Sequence, residues 1–458
     1  MSTITTTNPA TGKTIQTYPM MSAQEATAKL QAAHGAFEDW RHLTHAQRAP
    51  YLTKIAETLR GAADELAALM TQETGKLLRD GKREVDLCAA LFDYCAKNGP
   101  ALLADEDRTH GADGARGVVS YQPTGVIYSI QPWNFPLYQP VRVLAANLMA
   151  GNACVLKHAS ICTGTGLRLR ELCIEAGLPE DLFQVILIDH DTSDTLIAHP
   201  LVRGVTLTGS DGAGRHVGAV AAKALKKTVL ELGSNDAYLV LEDADIETAV
   251  KYCVMGRLYN NGETCVAAKR FVVTDKVYDA FLDAFVAQMA SIKMGDPADE
   301  STQLGPLSSQ DQCDTVKGQV EDSVTAGAKL LCGGDVPERD GAFYPATVLV
   351  DVTPGMPAYD DEIFGPVAAV IRAKDDTDAM RIANDSRYGL GGGIFCKDEE
   401  RALKLARDHF DTGMVRINSF GAADPNMPFG GVKDSGYGRE HGGFGMKEFV
   451  NVKAIFLP

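Results

Sequence analysis

Cys265 follows Asn260-Asn261-Gly262-Glu263-Thr264 and precedes Val266-Ala267-Ala268-Lys269-Arg270. Upstream, Glu231 closes the run Thr228-Val229-Leu230, and Asn134 stands within Pro132-Trp133-Asn134-Phe135-Pro136. A thiol, a carboxylate and a side-chain amide in short, turn-rich stretches would suit oxidation of an aldehyde through a covalent thioester. The thiol would attack, the carboxylate would ready the deacylating water, and the amide would donate to the developing oxyanion. Each residue alone has a plainer reading: a core cysteine, a surface carboxylate at a strand end, a structural turn asparagine. What sets Cys265 apart is the Asn-Asn-Gly loop ahead of a β-like run, which leaves its thiol accessible at a strand entry.

The elements that must position these groups are readable. Ala23 to Trp40 and His45 to Met70 carry apolar residues at helical spacing among good helix formers. Past Pro100 short β-rich runs begin, at Gly117–Pro123 and Gly125–Ile130, split by a Pro-Thr-Gly turn. Strands then alternate with helices: Ala153–Leu156, a helix around Gly164 to Ala176, Phe183–Ile188, Gly204–Leu207 and Thr228–Glu231. This alternation predicts an α/β fold with a parallel, doubly wound sheet whose ligands lie beyond the strand carboxyl ends, where Glu231 stands. Partial burial there would raise its carboxyl toward a useful base. A second α/β series runs from Ala237–Leu241 to about Gly431. Phe449 to Leu457 reads as a lone strand that finds its partner elsewhere, across a subunit interface.

A chain of 458 residues implies more than one domain. The expected division is a dinucleotide-binding domain (1–104 and 124–234), a catalytic domain (235–438) and a small β oligomerisation element (105–123 and 439–458). A net charge of −16, without a Lys/Arg cluster, excludes a nucleic-acid footprint and makes any anion site local. No run of apolar residues is long enough to span a membrane. The ten cysteines include no Cys-x-x-Cys pair and no Cys/His cluster at zinc spacing. A cytoplasmic, reduced, metal-free protein is the expectation.

Together with Cys265, Glu231 and Asn134, further stretches carry a resemblance over essentially the whole chain. They are Asn8-Pro9-Ala10-Thr11-Gly12, Thr208-Gly209-Ser210, Glu362-Ile363-Phe364-Gly365-Pro366-Val367, Asn384 to Leu390, and Pro428-Phe429-Gly430-Gly431-Val432-Lys433-Asp434-Ser435-Gly436. Any one is a weak signal; in this order they resemble the aldehyde dehydrogenase superfamily. The resemblance implies that Cys265 attacks the aldehyde and that Asn134, with the Cys265 backbone N–H, holds the thiohemiacetal oxyanion. Glu231 would then activate water to hydrolyse the thioester. Relatives that pass the acyl group to coenzyme A often lack this carboxylate, so its presence implies a free acid as product.

By the same resemblance Lys157 holds an adenosine ribose, and Gly209 and Ser210 open a helix whose N-terminus faces a pyrophosphate. Glu362 would bind the nicotinamide ribose, with Phe364 packing near the ring, and Trp133 is a further cofactor contact. Ser160 occupies a place where strict NAD users often have Glu, which would repel a 2′-phosphate. NADP is therefore favoured, with NAD also accepted. His158 departs from the Pro common at its place, and Ser234-Asn235 departs from the usual Gly-Lys type pair.

Arg142 lies a little over two helical turns beyond Asn134 and on roughly the same face. A guanidinium there would be costly to bury alone, and a substrate carboxylate is a natural partner; pairing with a protein carboxylate is the plainer alternative. With the Trp133 to Arg142 stretch and Lys157-His158-Ala159, this resembles the succinate-semialdehyde dehydrogenase branch, and Ser419 is a second candidate carboxylate contact. Ala267 stands where some members carry a redox-switching cysteine, so no such local disulfide is expected. The alternatives are another carboxylated aldehyde such as glutarate semialdehyde, or a non-catalytic member keeping the fold. Family habit implies a homodimer or homotetramer.

Overall fold

The computed structural model describes residues 2–111 and 114–458. After an antiparallel hairpin of Thr3–Thr7 and Thr14–Pro19, long helices run from Ala23 to Leu102, as the helical spacing predicts, with one difference. The stretch His45 to Met70 is two helices, His45–Gly61 and Ala63–Thr74, joined at Ala62. Both Ala23–Trp40 and His45–Gly61 open with capping boxes, Ser22 with Glu25 and Thr44 with Gln47. These reciprocal bonds satisfy backbone donors that would otherwise lack partners.

Two large sheets carry most of the rest. The first is six-stranded in the order Gly436–Tyr437, Lys227–Glu231, Val202–Thr208, Val126–Gln131, Ala153–His158, Phe183–Val185. All its pairings are parallel except that of the Gly436–Tyr437 edge. The second is seven-stranded and centres on Ala237–Val240, Arg270–Thr274 and Val367–Ala373, again parallel save for the edge strand Lys329–Cys332. Central strands such as Ala237–Val240 and Val126–Gln131 are almost wholly buried apolar runs, as strands covered on both faces must be. Phe271, Phe281 and Phe285 stack beneath the second sheet, with centroids 4.9 and 5.2 Å apart.

Two expectations need correction. Gly436–Tyr437 lies inside the expected catalytic segment 235–438, yet it pairs antiparallel with Leu230 and Glu231 and so edges the first sheet. The chain returns there because Leu232 N–H donates to Ser435 C=O at 3.0 Å, extending the ladder past Glu231. The C-terminal strand Val450–Phe456 also finds a partner within its own chain. It lies antiparallel to Ala115–Pro123, whose other edge holds Glu106–His110. Its side chains at Val452, Ile455 and Phe456 remain exposed.

Candidate active site

The site forms where the two sheets face each other. Asn260 and Asn261 sit in left-handed backbone at φ 54° and 58°, and Gly262 follows at 81°. Asparagine and glycine are the residues that tolerate this conformation. Gly262 is obligatory for space as well, since a Cβ there would lie 2.5 Å from the Gly365 carbonyl carbon. Asn261 fixes the loop through its amide, which donates to Gly75 C=O and Pro306 C=O at 3.1 and 3.0 Å. This turn delivers Cys265 part-exposed, whereas most of the other free cysteines are buried. Burial of its surroundings pushes the Cys265 thiol up to about 12, with Lys269 and Arg142 pulling the other way.

A cavity of about 260 Å³ is lined by Cys265, Asn134, Trp133, Gly209, Ser210, Glu362 and Phe364, among others. The Asn134 amide donates to Glu263 C=O at 3.2 Å, which holds it beside the nucleophile's loop. Trp133 and Phe364 meet edge to face at 5.6 Å. Ser210 caps the helix Asp211–Lys223 by accepting from Ala213 N–H, leaving that helix N-terminus at the cavity wall. Gly233 also lines it and cannot carry a side chain, because a Cβ would stand 2.7 Å from a Glu362 carboxylate oxygen. Lys157 is half-buried at the end of Ala153–His158, its ammonium pulled down by burial against Asp189's opposing charge, and Ser160 is exposed in the following turn. A helix N-terminus, the Glu362 carboxylate and the Trp133–Phe364 pair on one cavity wall fit a nicotinamide dinucleotide.

Glu231 lies behind this cavity. Its carboxylate is buried without a hydrogen-bond partner among the described residues, and it points at Gly430, where a Cβ would be 2.8 Å away. Burial drives its carboxyl well above the usual range, with Arg142 opposing and Glu440 adding to the rise. Direct neighbours of Cys265 instead come from Val266, Leu390 and Phe429, with Met414, Ala422 and Ala423 packed around them. Val266 and Phe429 line a second cavity of about 220 Å³ on that side.

Arg142 and Ser419, the two expected substrate contacts, are absent from the walls of these two cavities, and Arg142 Nη1 is buried without a hydrogen-bond partner among the described residues. The Arg142 side chain is fully buried and ion-paired with Glu440, and it donates to Thr208 Oγ1 at 2.6 Å. It lines neither cavity beside Cys265. Burial alone would lower its pKa, but Glu440, Tyr138 and Glu231 hold the guanidinium charged. The physical reason is the cost of an isolated buried charge, which a protein carboxylate already offsets. Ser419 donates its hydroxyl to Ile417 C=O at 3.0 Å and also lines neither cavity.

Several residues that build the site escape the sequence reading. Lys269 donates to Cys265 C=O at 2.6 Å and pairs with Glu362 at 3.1 Å, tying the Cys265 loop to Glu362. Buried Lys76 pairs with Glu84 at 2.8 Å and donates to Asn134 C=O and Asn260 Oδ1 at 3.0 and 2.5 Å. Glu84 in turn accepts from Leu137 and Tyr138 N–H, both at 2.9 Å. A lysine in a helical sequence carries no signal for this; only the Gly75-Lys76 break before the next helix hints at it.

The fold and this cleft define the class, and comparison with known proteins agrees. The family model described as the aldehyde dehydrogenase family matches residues 1–455, and the chain belongs to that family. It is 44% identical to a succinate-semialdehyde dehydrogenase [NADP(+)] of Mycolicibacterium paratuberculosis over 456 residues, covering 99% of this chain and 96% of the relative. A protein of the same description from Deinococcus radiodurans is also 44% identical, over 98% of this chain and 94% of its own length. Among solved structures, succinic semialdehyde dehydrogenase from Streptococcus pyogenes, in complex with NADP+, superposes with a TM-score of 0.96 at 39% identity. That match covers 99% of this chain and 100% of the other. The protein is an NAD(P)-dependent aldehyde dehydrogenase by family.

Proposed function

We propose that this enzyme oxidises succinate semialdehyde to succinate with NADP as the favoured acceptor and NAD as a second. What carries the reading is the meeting of Cys265 and the Asn134 amide at the wall of a cavity that also holds Glu362 and a helix N-terminus. The relatives named above, alike over nearly the whole chain, support the substrate and cofactor.

In this scheme the Cys265 thiolate adds to the aldehyde carbon, and the carbonyl oxygen becomes an oxyanion held by the Asn134 amide and the Cys265 N–H. A bound nicotinamide supplies the hydride acceptor. With the hydride gone, the carbonyl reforms as a thioester on Cys265. Glu231, turned from Gly430 toward the thioester, takes a proton from water as the water oxygen attacks. The C–S bond breaks, freeing the acid and returning the thiol. Lys157 and Ser160 are the residues for an adenosine ribose and its 2′-phosphate, since no carboxylate stands at Ser160 to repel one. Arg142 serves the same chemistry indirectly, by balancing the Glu440 charge beside Glu231. The exposed apolar residues of Val450–Phe456 suit a homodimer or homotetramer.

The test is to incubate the enzyme with succinate semialdehyde and NADP and identify the product. Free succinate formed in step with NADPH, without coenzyme A, is the expected result. A strict requirement for coenzyme A, or no NADPH from this aldehyde, would overturn it.

A further inference from the structure

Pro136 and Pro140 stand four residues apart where the helix Tyr138–Ala150 begins, next to the turn that carries Asn134. Helical bonding already runs through this junction: Gln139 N–H donates to Phe135 C=O at 3.0 Å, and Val141 N–H to Leu137 C=O at 3.1 Å. The carbonyl between them, that of Pro136, would take its bond from residue 140, and a proline has no N–H to give. A buried carbonyl without a donor is costly, so this one needs a partner from outside the helix. His158 supplies it. Its Nε2 lies 2.7 Å from Pro136 C=O, and among the described residues that carbonyl has no other donor.

The ring is fixed in place for that bond. His158 ends the strand Ala153–His158, in register with Gln131 of the neighbouring strand that leads into the Asn134 turn. Ala159 N–H donates to Nδ1 at 3.0 Å, which leaves the ring proton on Nε2, facing Pro136. Burial lowers the pKa of the imidazole, so the ring is neutral. Gly166 makes room for it, since a Cβ there would come within 2.9 Å of Cδ2, and Cys162 Sγ rests 3.4 Å from each ring nitrogen. The turn is thereby held from two sides, by Lys76 at Asn134 C=O and by His158 at Pro136 C=O.

We propose that His158 is a positioning residue for the oxidation: by replacing the N–H that Pro140 lacks, it holds the turn that aims the Asn134 amide at the oxyanion. The proposal rests on the oxyanion role given to Asn134 and adds the group that keeps that amide aimed. His158 itself lines neither cavity, so it acts through the turn.

Steady-state kinetics with succinate semialdehyde and NADP, and NADPH affinity by fluorescence titration, test this on His158→Phe, Pro140→Ala and the double variant, with Asn134→Ala alongside. His158→Phe keeps a ring but removes the donor, and Ala159 N–H retains Gln131 C=O at 3.0 Å. Its kcat should fall about 10- to 100-fold, the scale for a catalytic group moved by up to about 1 Å, while NADPH affinity stays as in the wild type. Pro140→Ala alone should keep wild-type kcat, because His158 still serves the carbonyl. In the double variant the backbone N–H restored at position 140 supplies the helical donor, and kcat should recover. A packing role for the ring would not respond to a change at Pro140. If Asn134→Ala lowers kcat but His158→Phe does not, or the double variant stays as slow as His158→Phe, His158 is overturned and the oxyanion reading stands. A loss confined to NADPH affinity has the same meaning. If Asn134→Ala keeps wild-type kcat, the oxyanion reading fails, and His158 with it. Should His158→Phe not fold, the double variant should still give active enzyme, and its failure to do so would overturn the proposal.

Discussion

At the scale of single residues, the site works by placing neutral donors and buried acids where charge will appear. The Asn134 amide has little to do in the ground state beyond its bond to Glu263 C=O. Asn134→Ala should therefore lower kcat by about 10²–10³-fold with KM little changed, the signature of a lost oxyanion donor. A change confined to KM in steady-state kinetics would contradict that role. Glu231 and Cys265 both hold their protons above the ordinary range, chiefly through burial. Each must lose its proton to act, so kcat/KM should climb with pH through neutrality into the alkaline range. A profile falling over that interval would show that neither ionisation limits the rate. The local settings of the three groups were legible in sequence: Cys265 and Asn134 lie in loops and Glu231 closes the strand Lys227–Glu231. The Arg142–Glu440 pair was not legible, because the two residues lie far apart along the chain and only folding brings them together.

Among the elements, the helix–loop junctions fix how far the two sheets' catalytic groups stand from one another. Lys76 leaves the helix Ala63–Thr74 and binds Asn134 on one sheet's turn and Asn260 on the nucleophile's loop. Replacing Lys76 with Met would strand Glu84 as a buried, unpaired charge. The expected cost is about 3–5 kcal/mol, read as a lower urea midpoint, together with a fall in kcat as Asn134 loses its anchor. Unchanged stability would mean Glu84 is neutral or finds another partner. The alternating pattern from Ala153 to Glu231 announced the first sheet, since buried parallel strands and amphipathic helices have different periods. The edge strand Gly436–Tyr437 could not be seen that way. Two residues show no periodicity, and their place is set by backbone bonds to Glu231 rather than by side-chain pattern.

For the molecule as a whole, the three-stranded sheet ending in Val450–Phe456 stands out from the two α/β layers and leaves Val452, Ile455 and Phe456 exposed. Phe456→Glu should shift the sedimentation coefficient toward that of a smaller species if this sheet joins subunits; an unchanged coefficient would place the contact elsewhere. Among the described residues no helix is long and apolar enough to cross a membrane. The whole arrangement brings Cys265, Asn134, Glu362 and the N-terminus of Asp211–Lys223 to one cavity. The most direct test is to mix Glu231→Gln with succinate semialdehyde and NADP, quench, and map the cysteines by peptide mass spectrometry. The account predicts one NADPH per site and a succinyl thioester on the Cys265 peptide that persists because its hydrolysis is slowed. NADPH formed while Cys265 stays unmodified, or an acyl group on another cysteine, would contradict it.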